Sequence, residues 1–351
     1  MNENKTISKL VRIWLIIGLV MIFFQIIIGG VTRLTGSGLS ITKWEIVTGT
    51  FPPISEVGWQ SELDLYKKTP QYKKINEGMS MSDFKFIYFW EYFHRLWART
   101  MGFVFLFPFI FFWSTKQFTP KLTRRLIVVF LLAAVVAVFG WIMVASGLIN
   151  RPWVNAYKLT VHLCLAVLLF GYLLWTTFIA FEPVPSVQTN KMLITLGKTF
   201  TIGTIFQIFL GGIMSGMKAG LFYPTWPDMN GMFIPPEVFD ISQYNVENIV
   251  EYDKHAFMPA LIQTLHRLTA YTLVIIGLWM FSMSHKQSYQ RVFKVCNIML
   301  ITVLFFQAAL GILTLINCKG SVPVGLGSMH QGGGIILLSV ALFNNYLQRS
   351  K

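Results

Sequence analysis

Eight runs of about 20 mostly apolar residues constrain this chain more than any other feature of its sequence. A helix of that length crosses about 30 Å of hydrocarbon, and runs that are continuous rather than alternating exclude a membrane β-barrel. Only 13% of the residues are charged and 54% are hydrophobic, which is untypical of a soluble globular protein. We therefore predict an all-α polytopic membrane protein with eight transmembrane helices, at residues 10–30, 85–113, 126–146, 157–181, 193–214, 258–283, 295–316 and 328–347.

Basic residues are concentrated in two short loops, and these loops set the predicted orientation. Residues 114–125 carry four Lys or Arg, and residues 284–294 carry three. Loops rich in Lys and Arg stay on the inner side of the membrane, so we predict that both termini lie inside. This topology and contact with anionic lipid account for the formal charge of +14. The expected partner of the basic surface is the lipid bilayer, with no nucleic acid.

The two halves of the chain repeat each other. FFQIIIGG at residues 23–30 returns as IFQIFLGG at residues 205–212, an offset of 182 residues, and each copy leads into a long loop. With four helices in each half, both copies share one orientation. We predict two tandem, pseudo-symmetric four-helix bundles, at residues 1–190 and 191–351, each able to hold a cofactor in its core.

Four histidines lie near the outer ends of the even-numbered apolar runs: His94, His162, His266 and His330. In each case the first polar residue at the inner face follows 19 to 22 positions later, which predicts that all four imidazoles lie at the outer boundary of the hydrocarbon. Two imidazoles facing each other across one bundle favour axial ligation of a haem iron, and neutral imidazole adds no charge to the membrane. A proton relay or a copper or zinc site is the alternative, although a small metal ion takes three or four clustered ligands.

The residues around these histidines have both structural and functional interpretations. Arg95 and Arg267 directly follow two of the histidines, and they are predicted either to reach lipid phosphate or to pair with haem propionates. Glycine pairs precede the long loops and are expected to allow close helix packing or to admit a porphyrin face; they are Gly29 with Gly30 and Gly211 with Gly212.

One carboxylate distinguishes the two halves. Glu91 lies three residues before His94 on the same helical face, whereas Gln263 holds the matching place in the second half. A carboxylate near the bilayer edge is costly and is therefore a candidate functional group, while an amide cannot exchange a proton. One haem site is thus predicted to support acid–base chemistry and the other to hold a haem that passes electrons. The structural alternative is a salt bridge from Glu91 to Arg95 or Arg99.

Several motifs combine in a way that is typical of one family. They are TRLTGSGLS after the first predicted helix, DFKFIYFWEYFHRLWAR into the second, GWIMVASGL before the fourth, AGLFYPTWPDMNG after the fifth, IQTLHR in the sixth, and LGILTL with VPVGLGSMHQ around the eighth. Through these motifs nearly the whole chain resembles the heme A synthase family. Residues 31–84 contain no cysteine, so the chain resembles the kind that lacks the cysteine pair of some bacterial members.

The resemblance implies an oxidoreductase that converts the C8 methyl of haem O to the formyl group of haem A by successive hydroxylations. It implies a substrate haem in the N-terminal half and a haem b cofactor in the C-terminal half. A carboxylate near the reacting methyl would take a proton from attacking water or stabilise a cationic carbon. The implied site residues are Glu91 as the catalytic group, His94, His162 and Arg95 for haem O, and His266, His330 and Arg267 for haem b, with the four histidines as axial iron ligands.

The implied partners are haem O, the haem O synthase that makes it, and an electron acceptor in the membrane, and a homo-oligomer is left open. The implied location is the bacterial cytoplasmic membrane, with the haem sites toward the outer face. A diheme b-type electron carrier and a haem exporter or chaperone are the alternatives. The carrier needs one haem near each face, and an exporter has no need for a duplicated site with its own carboxylate. A proton-coupled transporter is disfavoured because ionisable residues do not continue toward the inner face.

Overall fold

The computed structural model describes residues 7–43, 51–147, 152–181 and 187–349, which are predominantly helical and contain no β-strand. Eight described helices are long and apolar enough to cross a membrane: α1 (Lys9–Leu34), α4 (Met81–Ser114), α5 (Pro120–Gly147), α6 (Ala156–Ala180), α7 (Lys191–Gly216), α9 (Phe257–Lys286), α10 (Arg291–Ile316) and α11 (Val324–Leu347). Three short α-helices lie in the described parts of the loops after α1 and α7: α2 (Glu56–Tyr66), α3 (Pro70–Lys74) and α8 (Val246–Val250). The predicted all-α polytopic fold with eight spanning helices is confirmed.

Several spanning helices begin before their apolar runs because a polar side chain caps them. Ser8 accepts a hydrogen bond from the backbone of α1, Ser80 does the same for α4, and Asn190 for α7. At the start of α5, the Thr119 hydroxyl accepts from the Leu122 N–H at 3.2 Å. Such caps satisfy backbone donors that the first helical turn leaves free.

The chain divides into two compact units, Met1–Ala166 and Val167–Lys351. In the first unit α1 packs along α4. The indole of Trp14 stacks on Phe105 with ring centroids 4.6 Å apart, and its N–H donates to the Val104 carbonyl at 3.0 Å. These contacts join the helix that carries the first glycine pair to the helix that carries Glu91.

The second unit has a continuous apolar core between α7, α9, α10 and α11. Its fully buried members include Leu193, Phe200 and Phe293. A polar cluster closes the unit at the opposite end of the helices from the histidines: Asn345 donates to the Thr201 hydroxyl at 2.7 Å, and Gln348 with Asn344 and Thr189 forms further bonds. Packing of this kind fixes the relative positions of the helices that carry the second histidine pair.

Three expectations about organisation stay predictions. They are the division into bundles at residues 1–190 and 191–351, the location of both termini on the inner side of the membrane, and the outward orientation of the histidine sites. Met1 and Lys351 lie outside the described residues.

Candidate functional site

The four histidines occupy similar levels along their helices. His94 precedes Ser114, the last residue of α4, by 20 residues; His162 precedes Ala180 by 18, His266 precedes Lys286 by 20, and His330 precedes Leu347 by 17. At 1.5 Å per residue these separations are about 25 to 30 Å. Each imidazole therefore lies nearer the N-terminal than the C-terminal end of its spanning helix, and its location at the outer boundary of the hydrocarbon stays a prediction.

In the second unit, His266 and His330 face each other across the helices. Their ring centroids are 6.4 Å apart, with 70° between the ring planes. Two metal–imidazole bonds of about 2 Å each, together with half of each ring, span about 6 Å, so the pair is spaced to share one metal atom. His330 Nδ1 lies 3.2 Å from the Gln307 carbonyl oxygen, an arrangement that orients the ring and leaves its other nitrogen for a metal. His266 Nδ1 is buried without a hydrogen-bond partner among the described residues.

In the first unit, His94 on α4 and His162 on α6 form the corresponding pair. The side-chain amide of Gln25 lies 3.3 Å from each ring nitrogen of His94, and His162 Nδ1 is buried with no hydrogen-bond partner in the described part of the chain. An unpartnered buried nitrogen is costly, and it is the group that a metal ligand presents before the metal binds.

A glycine on the preceding spanning helix faces each histidine ring. A methyl group added at these glycines would lie close to the ring carbon Cε1: 3.1 Å for Gly29 and His94, 2.9 Å for Gly140 and His162, 3.4 Å for Gly211 and His266, and 2.8 Å for Gly311 and His330. The glycines therefore make room for the imidazoles. The sequence analysis singled out Gly29 and Gly211 and missed Gly140 and Gly311. The signal that identifies them is their position on the spanning helix that comes before a histidine-bearing helix.

These features fit haem in both units. Each unit offers two imidazoles, one of which has a buried Nδ1 without a hydrogen-bond partner among the described residues, and glycines that admit the rings closely. A cluster of three or more His, Cys, Asp or Glu side chains, which a small metal ion takes, does not occur among residues 7–43, 51–147, 152–181 and 187–349.

The Glu91 carboxylate is buried, with 3% of its surface exposed, and binds the loop that follows α1. Its Oε2 accepts hydrogen bonds from the Ser40 N–H at 2.7 Å, the Ser40 hydroxyl at 2.8 Å and the Ile41 N–H at 2.9 Å. Its Oε1 forms a salt bridge with Arg95 at 2.6 Å. The structural alternative of the sequence analysis, a salt bridge one turn along the helix, is therefore present, and the four bonds fix the position of the carboxylate.

The matching residue in the second unit donates a hydrogen bond to its loop, whereas Glu91 accepts hydrogen bonds from its own. Gln263 is fully buried, and its amide donates to the Tyr223 carbonyl oxygen at 2.8 Å. Tyr223 lies 182 residues after Ile41, the offset of the sequence repeat. The carboxylate thus accepts from the N–H of one loop residue, whereas the amide donates to the C=O of its counterpart. Gln263 Oε1 has no hydrogen-bond partner among the described residues.

The two arginines beside the histidines bind the same loops. Arg95 approaches the Ile41 and Lys43 carbonyl oxygens at 3.5 and 3.4 Å. Arg267 donates to the Thr225 carbonyl at 2.7 Å and to two further carbonyls in the same turn. Thr225 is the repeat counterpart of Lys43, so each arginine anchors the loop that follows the first spanning helix of its own half. Sequence reasoning did not predict these contacts, and propionate binding by the arginines stays a prediction.

Comparison with known proteins gives consistent matches over nearly the whole chain. A family model described as "Cytochrome oxidase assembly protein" matches residues 12–342. A protein named "Heme A synthase" from Flavobacterium johnsoniae is 37% identical over 345 residues, which cover 97% of this chain and 97% of that protein. Proteins of the same name from Agrobacterium fabrum and Sinorhizobium medicae are 39% and 37% identical, over 99% and 95% of this chain and 93% and 88% of their own lengths.

Proposed function

The chain belongs to the family of cytochrome oxidase assembly proteins, and from this membership we infer that it acts as a heme A synthase. It is a multi-pass membrane oxidoreductase whose substrate is haem O and whose site of reaction is a methyl group of that haem. Within this activity we assign the C8 methyl as the reacting group and the formyl group of haem A as the product. The bacterial cytoplasmic membrane is the proposed location.

The observation that carries the proposal is a pair of equivalent sites that differ in one group. Both units have two histidines on spanning helices, and in both a loop is hydrogen-bonded to the turn that precedes the first histidine. Only the first unit has a carboxylate there, Glu91, and the second has Gln263. An enzyme that modifies one haem with the help of another needs this asymmetry, because only one site needs to accept a proton.

We assign the substrate and the cofactor to the two units on this basis. His94 and His162 hold haem O beside Glu91. His266 and His330 hold haem b, which when bound supplies one-electron redox chemistry. Arg267 Nε is buried and has no hydrogen-bond partner among the described residues, so it is available to a propionate while the other guanidinium nitrogens hold the loop.

Glu91 is the proposed proton acceptor, and the two oxygens of its carboxylate differ. Among the described residues Oε2 accepts three hydrogen bonds and Oε1 accepts one, from Arg95. Oε1 therefore has a lone pair free for a proton from water that attacks the substrate carbon. Arg95 and the loop N–H groups hold the carboxylate in place, and a carboxylate fixed in this way is also suited to stabilise a cationic carbon.

The competing electron-carrier function is not favoured by the histidine levels. A carrier that conducts across the membrane needs one haem near each face. Here each of the four histidines lies 17 to 20 residues before the C-terminal end of its own helix.

The test is co-expression of the full chain with a haem O synthase, followed by acid extraction and chromatography of the non-covalent haems. The wild type is expected to yield haem A. Glu91→Gln is expected to retain both haems and their spectra but to yield haem O alone, while Glu56→Gln, an exposed acid in the same outer loop, serves as the matched control and yields haem A. Haem O left unchanged by a haem-loaded wild type would contradict the enzyme, and haem A formed by Glu91→Gln would contradict the role of Glu91.

A further inference from the structure

The spanning helices that come before the four histidine-bearing helices share a four-residue spacing between glutamine and glycine, with one exception. Three of them carry glutamine four residues before the glycine that faces a histidine ring: QIIIG ends at Gly29, QIFLG at Gly211 and QAALG at Gly311. The fourth, α5, has VAVFG, which ends at Gly140, so that valine stands where the others have glutamine. The exception faces His162, in the proposed substrate site.

Each of the three glutamines makes the same contact. The side-chain amide donates to the main-chain carbonyl of the histidine itself, in the pairs Gln25 with His94 at 3.2 Å, Gln207 with His266 at 2.9 Å and Gln307 with His330 at 2.7 Å. The bond joins two helices at the residue that carries the ligand. It therefore restrains both the approach of the helices and the orientation of the imidazole.

Val136 cannot make this bond, because its side chain has no donor. Val136 stands four residues before Gly140, which faces the His162 ring, just as Gln307 stands four residues before Gly311, which faces the His330 ring. The valine and glutamine positions are therefore equivalent. Both ligands of the second unit are thus held by glutamine, whereas in the first unit only His94 is held. This difference matches the proposed roles, because a cofactor stays in place and a substrate must enter and leave.

We propose that His162 is the ligand that leaves the iron when haem is exchanged at the N-terminal site, and that Gln25, Gln207 and Gln307 are positioning residues for the other three. The bond that breaks is the one between iron and the His162 ring nitrogen, whose lone pair returns to the imidazole without change of oxidation state. The inference rests on the proposed function, since it requires haem O in the first unit and haem b in the second.

The test installs the missing donor. Full-length protein loaded by co-expression with a haem O synthase is mixed with excess apomyoglobin, and the haem that passes to the acceptor is identified by chromatography. The size-matched control is Val136→Leu. Transfer of haem O, counted together with any haem A formed from it, is expected to be about threefold slower in Val136→Gln than in this control. A factor of about three is the effect of one inter-helix hydrogen bond in a membrane. Gln307→Leu is expected to speed transfer of haem b by a similar factor and to leave haem O unchanged.

Electron paramagnetic resonance supplies a second readout that loss of general stability would not produce. Val136→Gln is expected to raise the low-spin, six-coordinate fraction of the haem in the first site relative to Val136→Leu. Equal haem O transfer and equal spin populations in these two variants would overturn the inference. If the two variants behave alike in this way but still form haem A, the inference about His162 is rejected and the proposed function stands. A wild-type protein that binds one haem or none would instead reject the proposed function.

Discussion

Gly311→Ala is expected to weaken haem binding in the second unit. The added methyl would lie 2.8 Å from His330 Cε1 and 3.3 Å from both ring nitrogens. Carbon atoms in favourable contact are about 3.5 to 4.0 Å apart, so the imidazole has to move by most of an ångström. Its Nδ1 would then lose the 3.2 Å contact with the Gln307 carbonyl that orients the ring.

The magnitude follows from the cost of overpacking. Adding a methyl group to a packed site costs about 1 to 3 kcal/mol, and 1.4 kcal/mol is a factor of about ten in an equilibrium constant. The affinity for haem b is therefore expected to fall about tenfold or more. Alanine also favours a helix over glycine by about 1 kcal/mol, and because this gain is common to every Gly→Ala variant, a comparison between sites isolates the contact.

Two further variants give that comparison. At Gly211 the methyl would lie 3.4 Å from His266 Cε1, an ordinary contact, and at Gly102 on α4 it would meet nothing within 4 Å. Haem content per protein and the optical spectrum of bis-histidine haem are measured after purification, followed by haem transfer to apomyoglobin. Gly311→Ala is expected to lose haem b, Gly211→Ala to lose little, and Gly102→Ala to lose none. Equal losses at Gly311 and Gly211, or full retention at Gly311, would refute the reasoning from steric contact.

Three other predictions concern the loops that follow α1 and α7 and the side chains bound to them. Ser40→Ala removes the hydroxyl donor from buried Glu91 and is expected to destabilise the first unit by about 2 kcal/mol, seen as a lower Tm in circular dichroism; an unchanged Tm would contradict it. Gln263→Glu sets a carboxylate against a carbonyl oxygen and is expected to lower haem b content more than Gln263→Leu does. A hydrogen bond from the Thr225 hydroxyl holds the pKa of the Asp228 carboxyl below its usual range. The ionised carboxylate therefore stabilises its turn at pH values above the ordinary pKa of aspartate, and this stabilisation is lost as the pH falls through the lowered pKa. Thr225→Ala is expected to move the loss to higher pH, measured as pH-dependent proteolysis of the loop.

Apolar length predicts the spanning helices because a membrane helix must satisfy its own backbone and cover the hydrocarbon. The predicted and observed ranges differ mainly where polar caps extend a helix, as Ser80 does for α4. The same criterion does not predict α2 and α3, which are short and polar. Their local signals were present, since Ser55 and Thr69 cap them and Pro70 occupies the first turn of α3.

The candidate site is predictable where it depends on position along one helix and not where it depends on neighbouring segments. The similar position of each histidine along its own helix and the spacing of Glu91 and Arg95 follow from helical geometry. The Ser40 bonds to Glu91 and the loop carbonyls bound by Arg267 are contacts between residues about 40 to 50 positions apart, which helical periodicity does not encode. The glutamine at each histidine carbonyl became evident only when the helix pairs were known.

Glutamate and glutamine codons differ by one nucleotide, so a single mutation suffices to interchange the side chains at Glu91 and Gln263. The loops oppose that interchange. In the first half a peptide N–H faces the side chain, and in the second half a peptide oxygen does, at counterpart residues Ile41 and Tyr223. The difference between the two halves is therefore written into the orientation of main-chain peptide groups as well as into the codon.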